Sequence, residues 1–286
     1  MNRTKKKRIL DVRAIIYYLL MSVIAVMFLI PALWGISGSF RPRDEIFRYC
    51  NPISWRTFIS ENFNLDAYQE IFTGEVILYT RALLNSLFIS FTAVALGLFV
   101  NSLAGFAFAK FNFRGKNLLF ILVVFSFMIP FEIIVIPLYI LVKSWNLIDT
   151  YYALILPAVA NGLAIFLFKQ FFEEIPSSLL DAARIDGASV PTTLFKIVLP
   201  LSKPVIICVA LILFLGQWDA LFWPLIAVSQ NDMIVVQVAI ARFWGEYSVE
   251  WGNILAGSMF AAGVPVCLFL FLQKYYVQGI VRTGLK

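Results

Sequence analysis

ALLNSLFISFTAVALGLFVNSLAGFAFA, residues 82–109, contains no charged side chain. As a helix rising about 1.5 Å per residue it is roughly 42 Å long, more than the ~30 Å hydrocarbon core of a bilayer. Ala93, Gly97, Asn101, Gly105 and Ala109 recur on it at i+4 steps, which places small residues along one face and predicts close helix packing. Packing, rather than contact with a transported molecule, is the expected role of Asn101. Working outward, similar apolar runs occupy residues 14–40, 118–142, 151–172, 204–228 and about 252–273. The run at 14–40 is longer than the 7–15 residues of a signal-peptide core, so it is expected to be retained as a span. The fold class is therefore all-α, a polytopic membrane protein with six transmembrane helices.

Composition agrees. Of 286 residues, 61% are hydrophobic and 14% charged, and the mean hydropathy is +0.85, well beyond soluble domains, where about half the residues are apolar. The net charge of +6 does not call for nucleic acid, because Lys and Arg concentrate in the segments between spans. On the side holding both termini and the loops near 110–116 and 173–203 there are 16; on the other there are 7. The positive-inside rule puts both termini in the cytoplasm. The organisation is a basic tail (1–13) followed by one membrane domain (14–286), with external loops at about 41–81 and 229–251. There is no histidine, and Cys50, Cys208 and Cys267 are far apart, so no metal site or disulfide framework is expected. No catalytic residue is expected either.

The longest cytoplasmic loop carries SLLDAARIDGASVPTTLFKIVLPLSKP, residues 178–204. Ser178 followed by Asp181 is a capping-box pattern that predicts a helix start. Gly187 suits the left-handed residue that ends a helix, and Pro191 suits the first turn of another. Asp181-Ala182-Ala183, then Gly187, Ile197 and Leu199-Pro200, resembles the EAA loop of membrane-spanning permease subunits of bacterial ATP-binding-cassette importers, with Asp181 where that family usually has Glu. Residues 128–157, QWDALFWPLI (217–226) and QGIVRTGLK (278–286) are similar to the carbohydrate branch of these permeases, the maltose, lactose and glycerol-3-phosphate type.

The resemblance implies a second homologous permease subunit, an ATPase dimer carrying ATP and Mg, and an extracytoplasmic sugar-binding protein into which residues 231–251 reach. It places the chain in the cytoplasmic membrane, in contact with lipid. No cofactor is expected on this chain, which lacks a G-x-x-x-x-G-K-[ST] phosphate loop. Coupling to the ATPase is expected through Leu180, Ile197 and Leu199 as apolar anchors, Ala182 and Ala183 for close approach, and Asp181, Arg184 and Asp186 for charge pairing. Gly187 would supply the turn. Pro200 and Pro204 bracket the junction with the fifth span, which predicts stiff transmission.

Intramembrane carboxylates are costly and functional by default. Glu132 and Asp219 both fall roughly 22 Å from the cytoplasmic ends of their spans at 1.5 Å per residue. With Asn161, Gln217 and Trp218 they are the candidate substrate pathway, hydrogen-bonding groups beside indole faces suiting a polyhydroxylated ligand. The competing readings are a proton-coupled secondary transporter using Glu132 and Asp219, and a membrane scaffold without a transport path.

Overall fold

A computed structural model of the chain describes residues 12–74, 79–245 and 249–283. Residues 1–11 and 284–286, which carry part of the charge asymmetry, lie outside the described residues. The elements are α1 (Val12–Ser39), α2 (Asp66–Thr73), α3 (Tyr79–Lys110), α4 (Lys116–Met128), α5 (Phe131–Ser144), α6 (Tyr151–Val159), α7 (Gly162–Glu173), α8 (Ser177–Ile185), α9 (Val190–Thr193), α10 (Leu199–Leu201), α11 (Lys203–Trp218), α12 (Phe222–Ala227), α13 (Val236–Arg242) and α14 (Trp251–Thr283). Among the described residues there is no strand, only an isolated bridge between Trp244 and Val249.

Residues 13–39, 79–110, 151–173 and 251–273 are each long and apolar enough to cross a bilayer, the third interrupted between α6 and α7. Two bent helix pairs are, taken together, also long and apolar enough to cross. α4 and α5 meet at 103°, and the segment Val190–Leu201 meets α11 at 86°. The structure thus holds four to six candidate membrane helices; the expected single helix at 118–142 is broken between α4 and α5, and that at 204–228 is interrupted at 219–221, between α11 and α12.

Proline explains where the breaks fall. Ile129 precedes Pro130 and takes φ −76°, ψ 123°, the extended conformation that a following proline ring imposes. Pro224 has no N–H for the carbonyl of Ala220, and its ring crowds that carbonyl. α11 accordingly stops at Trp218 and α12 restarts at Phe222. Pro157 likewise leaves the carbonyl of Ala153 without a helical donor, and the Trp223 indole Nε1 donates to it at 2.9 Å.

α3 is the centre of the packing, lying along α6, α7 and α11. Its small-residue face is buried at Ala93, Gly97, Asn101 and Gly105, as its i+4 spacing predicts. A Cβ on Gly97 would stand 2.8 Å from Leu213 Cδ1, and one on Gly105 would stand 2.5 Å from Phe168 Cβ. The fit of α3 against its neighbours therefore depends on missing side chains. α1, by contrast, leaves most of its apolar surface exposed and packs chiefly on α14.

At the end of the bundle where α3 begins, the connecting segments are tied down by polar contacts. Arg43 bridges Glu70 at 2.6 Å and Glu250 at 2.7 Å. Asp149 accepts from the Ser229 backbone N–H at 2.6 Å, the Ser229 hydroxyl at 2.8 Å and the Gln230 N–H at 3.2 Å. These bonds, the Ser229 backbone N–H first, hold the Asp149 carboxyl below the ordinary aspartate value.

Candidate functional site

Three helix breaks, at Pro130, at Asn161 and at 219–221, surround one cavity of about 390 Å³. Its lining includes Phe131, Pro157, Asn161, Gly216, Gln217 and Trp223. In a membrane protein, interrupted helices are tolerated where they line a cavity or are buried in protein, and this volume lies in the range of small-molecule sites, about 300–1,000 Å³.

Each break must satisfy the backbone groups it frees. Between α6 and α7, Asn101 does so from α3. Its Nδ2 donates to the Val159 carbonyl at 2.9 Å and its Oδ1 accepts from the Asn161 N–H at 2.9 Å. Asn101 is fully buried, so its amide has a structural role. Asn101→Ala would leave both backbone groups unpaired, a cost of roughly 1–3 kcal/mol. A lowered thermal midpoint in detergent is the expected result, and an unchanged midpoint would show that the break is closed by other means.

The candidate pathway residues divide. Asn161 and Gln217 line the cavity. Asn161 Oδ1 caps α7 by accepting from the Ala164 N–H at 3.0 Å, and Gln217 Nε2 donates to the Leu154 carbonyl at 3.4 Å. Among the described residues, Asn161 Nδ2 and Gln217 Oε1 have no protein partner, which leaves one donor and one acceptor for a ligand. Trp218 points elsewhere: it is 1% exposed and stacks on Phe214 at 5.5 Å. Glu132 and Asp219 are exposed and do not line the cavity. Of the lining rings, the sequence did not single out Phe131, whereas Trp223 is one of the indole faces beside Gln217 and Asp219; the two rings meet edge to face at 6.4 Å. The signal was present in Pro130 and Pro224, which place each ring beside a break.

The loop at 178–204 lies at the opposite end of α3. α8 starts at Ser177 behind Pro176, with no side-chain cap. The expected capping box at Ser178 does not form, because Ser178 is already inside the first turn. Asp181 instead pairs with Arg184 at 3.5 Å, both exposed. The far end of α8 is as the sequence predicts. Gly187 has φ +78°, and its N–H reaches the Arg184 carbonyl at 3.0 Å while the Ala188 N–H reaches that of Ala183 at 2.9 Å. Together these form a Schellman cap that only a residue tolerant of positive φ completes without strain. Pro191 lies in the first turn of α9, and the Ser189 hydroxyl caps that helix at 3.4 Å.

Leu180 is buried in a core cluster of the chain that includes Phe106, Phe168 and Leu194, and Ala183 is buried as well. They hold α8 onto the bundle and are not free to anchor a partner. The outward stripe of α8 is Asp181, Ala182 and Ile185, with Arg184 and Asp186 beside it. Ile185 is 87% exposed and was not among the expected anchors. Ile197 and Leu199 are half-buried, and Pro200 is exposed. The junction with α11 is bent rather than straight, with a π-helical turn at Leu194–Val198 preceding the 86° bend.

A family model described as the binding-protein-dependent transport system inner membrane component matches residues 93–282. The chain belongs to this family. It is a permease component of the inner membrane, a transport subunit rather than an enzyme, with ATP hydrolysis on a separate ATPase. It is 38% identical over 263 residues to the arabinooligosaccharides transport system permease protein AraQ of Halalkalibacterium halodurans, covering 92% of this chain and 93% of that protein. It is 27% identical to the lactose transport system permease protein LacG of Rhizobium radiobacter, with 99% of each covered. The fold also matches a chain from the crystal structure of a bacterial transporter that imports the acidic polysaccharide alginate. The TM-score there is 0.81 at 19% identity, covering 96% of this chain and 99% of the other.

Proposed function

We propose that this permease moves a sugar or sugar derivative into the cytoplasm through the cavity at the three helix breaks. The observation that carries this is the convergence of the breaks on Asn161, Gln217 and the aromatic rings of Phe131 and Trp223. One free donor, one free acceptor and apolar ring faces suit a polyhydroxylated ligand. The names of the AraQ and LacG relatives support the same cargo class.

In this reading the chain has six spans, with each bent pair counted as one, and both termini and α8 face the cytoplasm. α8 receives an ATPase dimer, which binds ATP and Mg, on the Asp181–Ala182–Ile185 stripe. A second homologous permease subunit completes the pathway, and an extracytoplasmic sugar-binding protein docks near residues 229–251. The proton-coupled alternative is not favoured, because Glu132 and Asp219 lie outside the cavity and the family is one of ATP-driven importers.

The test uses Gly216. A Cβ there would meet nothing within 4 Å, so in Gly216→Leu the new side chain enters the cavity without disturbing the bundle. Uptake by the complete complex in ATP-loaded proteoliposomes is expected to fall at least about tenfold, corresponding to ~1.4 kcal/mol, with the thermal midpoint unchanged. Unimpaired uptake would remove the cavity from the pathway. Uptake by the chain alone, driven by a proton gradient, would overturn the importer reading.

A further inference from the structure

We infer that α3 is a rod that carries the movement of α8 to the segment at the other end of the bundle, with Lys110 and Asn85 as its two positioning residues. This rests on the proposed ATPase contact of α8.

At the α8 end, the Lys110 ammonium donates to the Ile175 carbonyl at 2.7 Å. Ile175 is buried and immediately precedes Pro176, behind which α8 begins. Phe106, Lys110 and Phe111 of α3 and its C-terminal extension surround a small gap of about 30 Å³ with Leu180 and Arg184 of α8. A displacement of α8 therefore bears on the last turn of α3 through one hydrogen bond and one apolar contact.

At the other end, Asn85 Nδ2 donates to the carbonyls of Asp232 at 3.0 Å and Ile234 at 2.9 Å. Asn85 Oδ1 accepts from the Tyr151 hydroxyl at 2.8 Å. Ser86 Oγ accepts from the Val236 N–H at 2.8 Å, and Arg81 Nε donates to the Asp232 carbonyl at 2.9 Å. Residues 232–236 are thus fixed to α3 by four hydrogen bonds.

Between these ends, about 37 Å apart at 1.5 Å per residue, α3 is the stiffest route available. α1, α5, α6 and α14 each contain a proline, and three spans are interrupted, whereas α3 is continuous and proline-free. Kinks concentrate at prolines and breaks, so a push at 175–180 bends the broken spans but translates α3. Its close fit at Gly97 and Gly105 obliges α7 and α11 to move with it.

Spatial continuity alone does not demonstrate coupling, so the test reads one end while altering the other. In the purified complex with its ATPase, hydrogen exchange at amides 232–240 is compared without nucleotide and with ATP plus vanadate. The unaltered chain is expected to show a change of about tenfold in exchange rate. Lys110→Met should abolish that change with the ATPase still bound, and Lys110→Arg, which keeps a donor, should retain it. A role confined to local structure would not reach amides so far away. Asn85→Leu should likewise remove the change at 232–240 while leaving any change at residues 177–185 in place; if Lys110→Met releases the ATPase, this variant carries the test. Persistence of the change in both variants, or its absence in the unaltered complex, overturns the rod. Failure of the unaltered chain to hold the ATPase overturns the coupling reading instead.

Discussion

Ile185→Asp is expected to release the ATPase from the complex while leaving the subunit folded. Ile185 is 87% exposed at the end of α8, with its side chain directed away from the Leu180 and Ala183 core. An isoleucine left in water has no stabilising role in the isolated chain, so the thermal midpoint should not move. Buried in a partner groove, the same side chain is worth roughly 1.5–3 kcal/mol. A carboxylate in its place adds an uncompensated desolvation cost. The dissociation constant for the ATPase should therefore rise by roughly 10- to 150-fold or more, read as loss of copurification and of ATP-driven uptake. Retained ATPase would place the contact outside the Asp181–Ala182–Ile185 stripe.

The opposite pattern is expected for Gly105→Leu, which should destabilise the subunit itself. The obstacles to a Cβ at Gly105 are Phe168 Cβ at 2.5 Å, the Lys169 backbone N at 3.1 Å and the Ile165 carbonyl O at 3.3 Å. Two of the three are backbone, so no change of rotamer relieves the clash and α3 must move away from α7. Overpacking typically costs about 1–3 kcal/mol. A leucine at this position should reach or exceed the upper figure, because the shift also strains the Asn101 bonds to Val159 and Asn161. The measurement is the thermal midpoint and yield of the detergent-solubilised chain. Gly216→Leu is the control, being the same substitution at a position with open space. Equal stability of the two variants would show that α3 and α7 are not in close contact.

Much of the architecture was legible in the sequence because a bilayer enforces simple rules. Uncharged runs longer than the hydrocarbon core mark spans, and the i+4 row from Ala93 to Ala109 marks the helix face that others pack against. Gly187 announced its cap because positive φ is nearly a glycine property. The Ser178 box failed for an equally local reason: with Pro176 at the cap position the helix starts two residues earlier, so the hydroxyl is no longer at the cap. The prolines at 130, 157 and 224 were visible, but a proline inside an apolar run can kink, break or be absorbed by a helix. Neighbouring groups decide which, as Trp223 does by supplying the donor that the Ala153 carbonyl lacks.

By itself, the sequence determined that the chain lives in a membrane, that it lacks a G-x-x-x-x-G-K-[ST] phosphate loop, and that residues 178–204 form a helix, a glycine turn and a second helix. These follow from composition, hydropathy and local backbone preference, which act within a few residues. Only the tertiary structure decided which side of each helix is free. Burial separates Ile185 from Leu180 and Ala183 on one short helix, and Asn161 and Gln217 from Trp218, Asp219 and Glu132 around one set of breaks. That choice depends on contacts between segments tens of residues apart, such as Asn101 with Val159 and Lys110 with Ile175, and pairings at that distance leave no periodic trace in the chain.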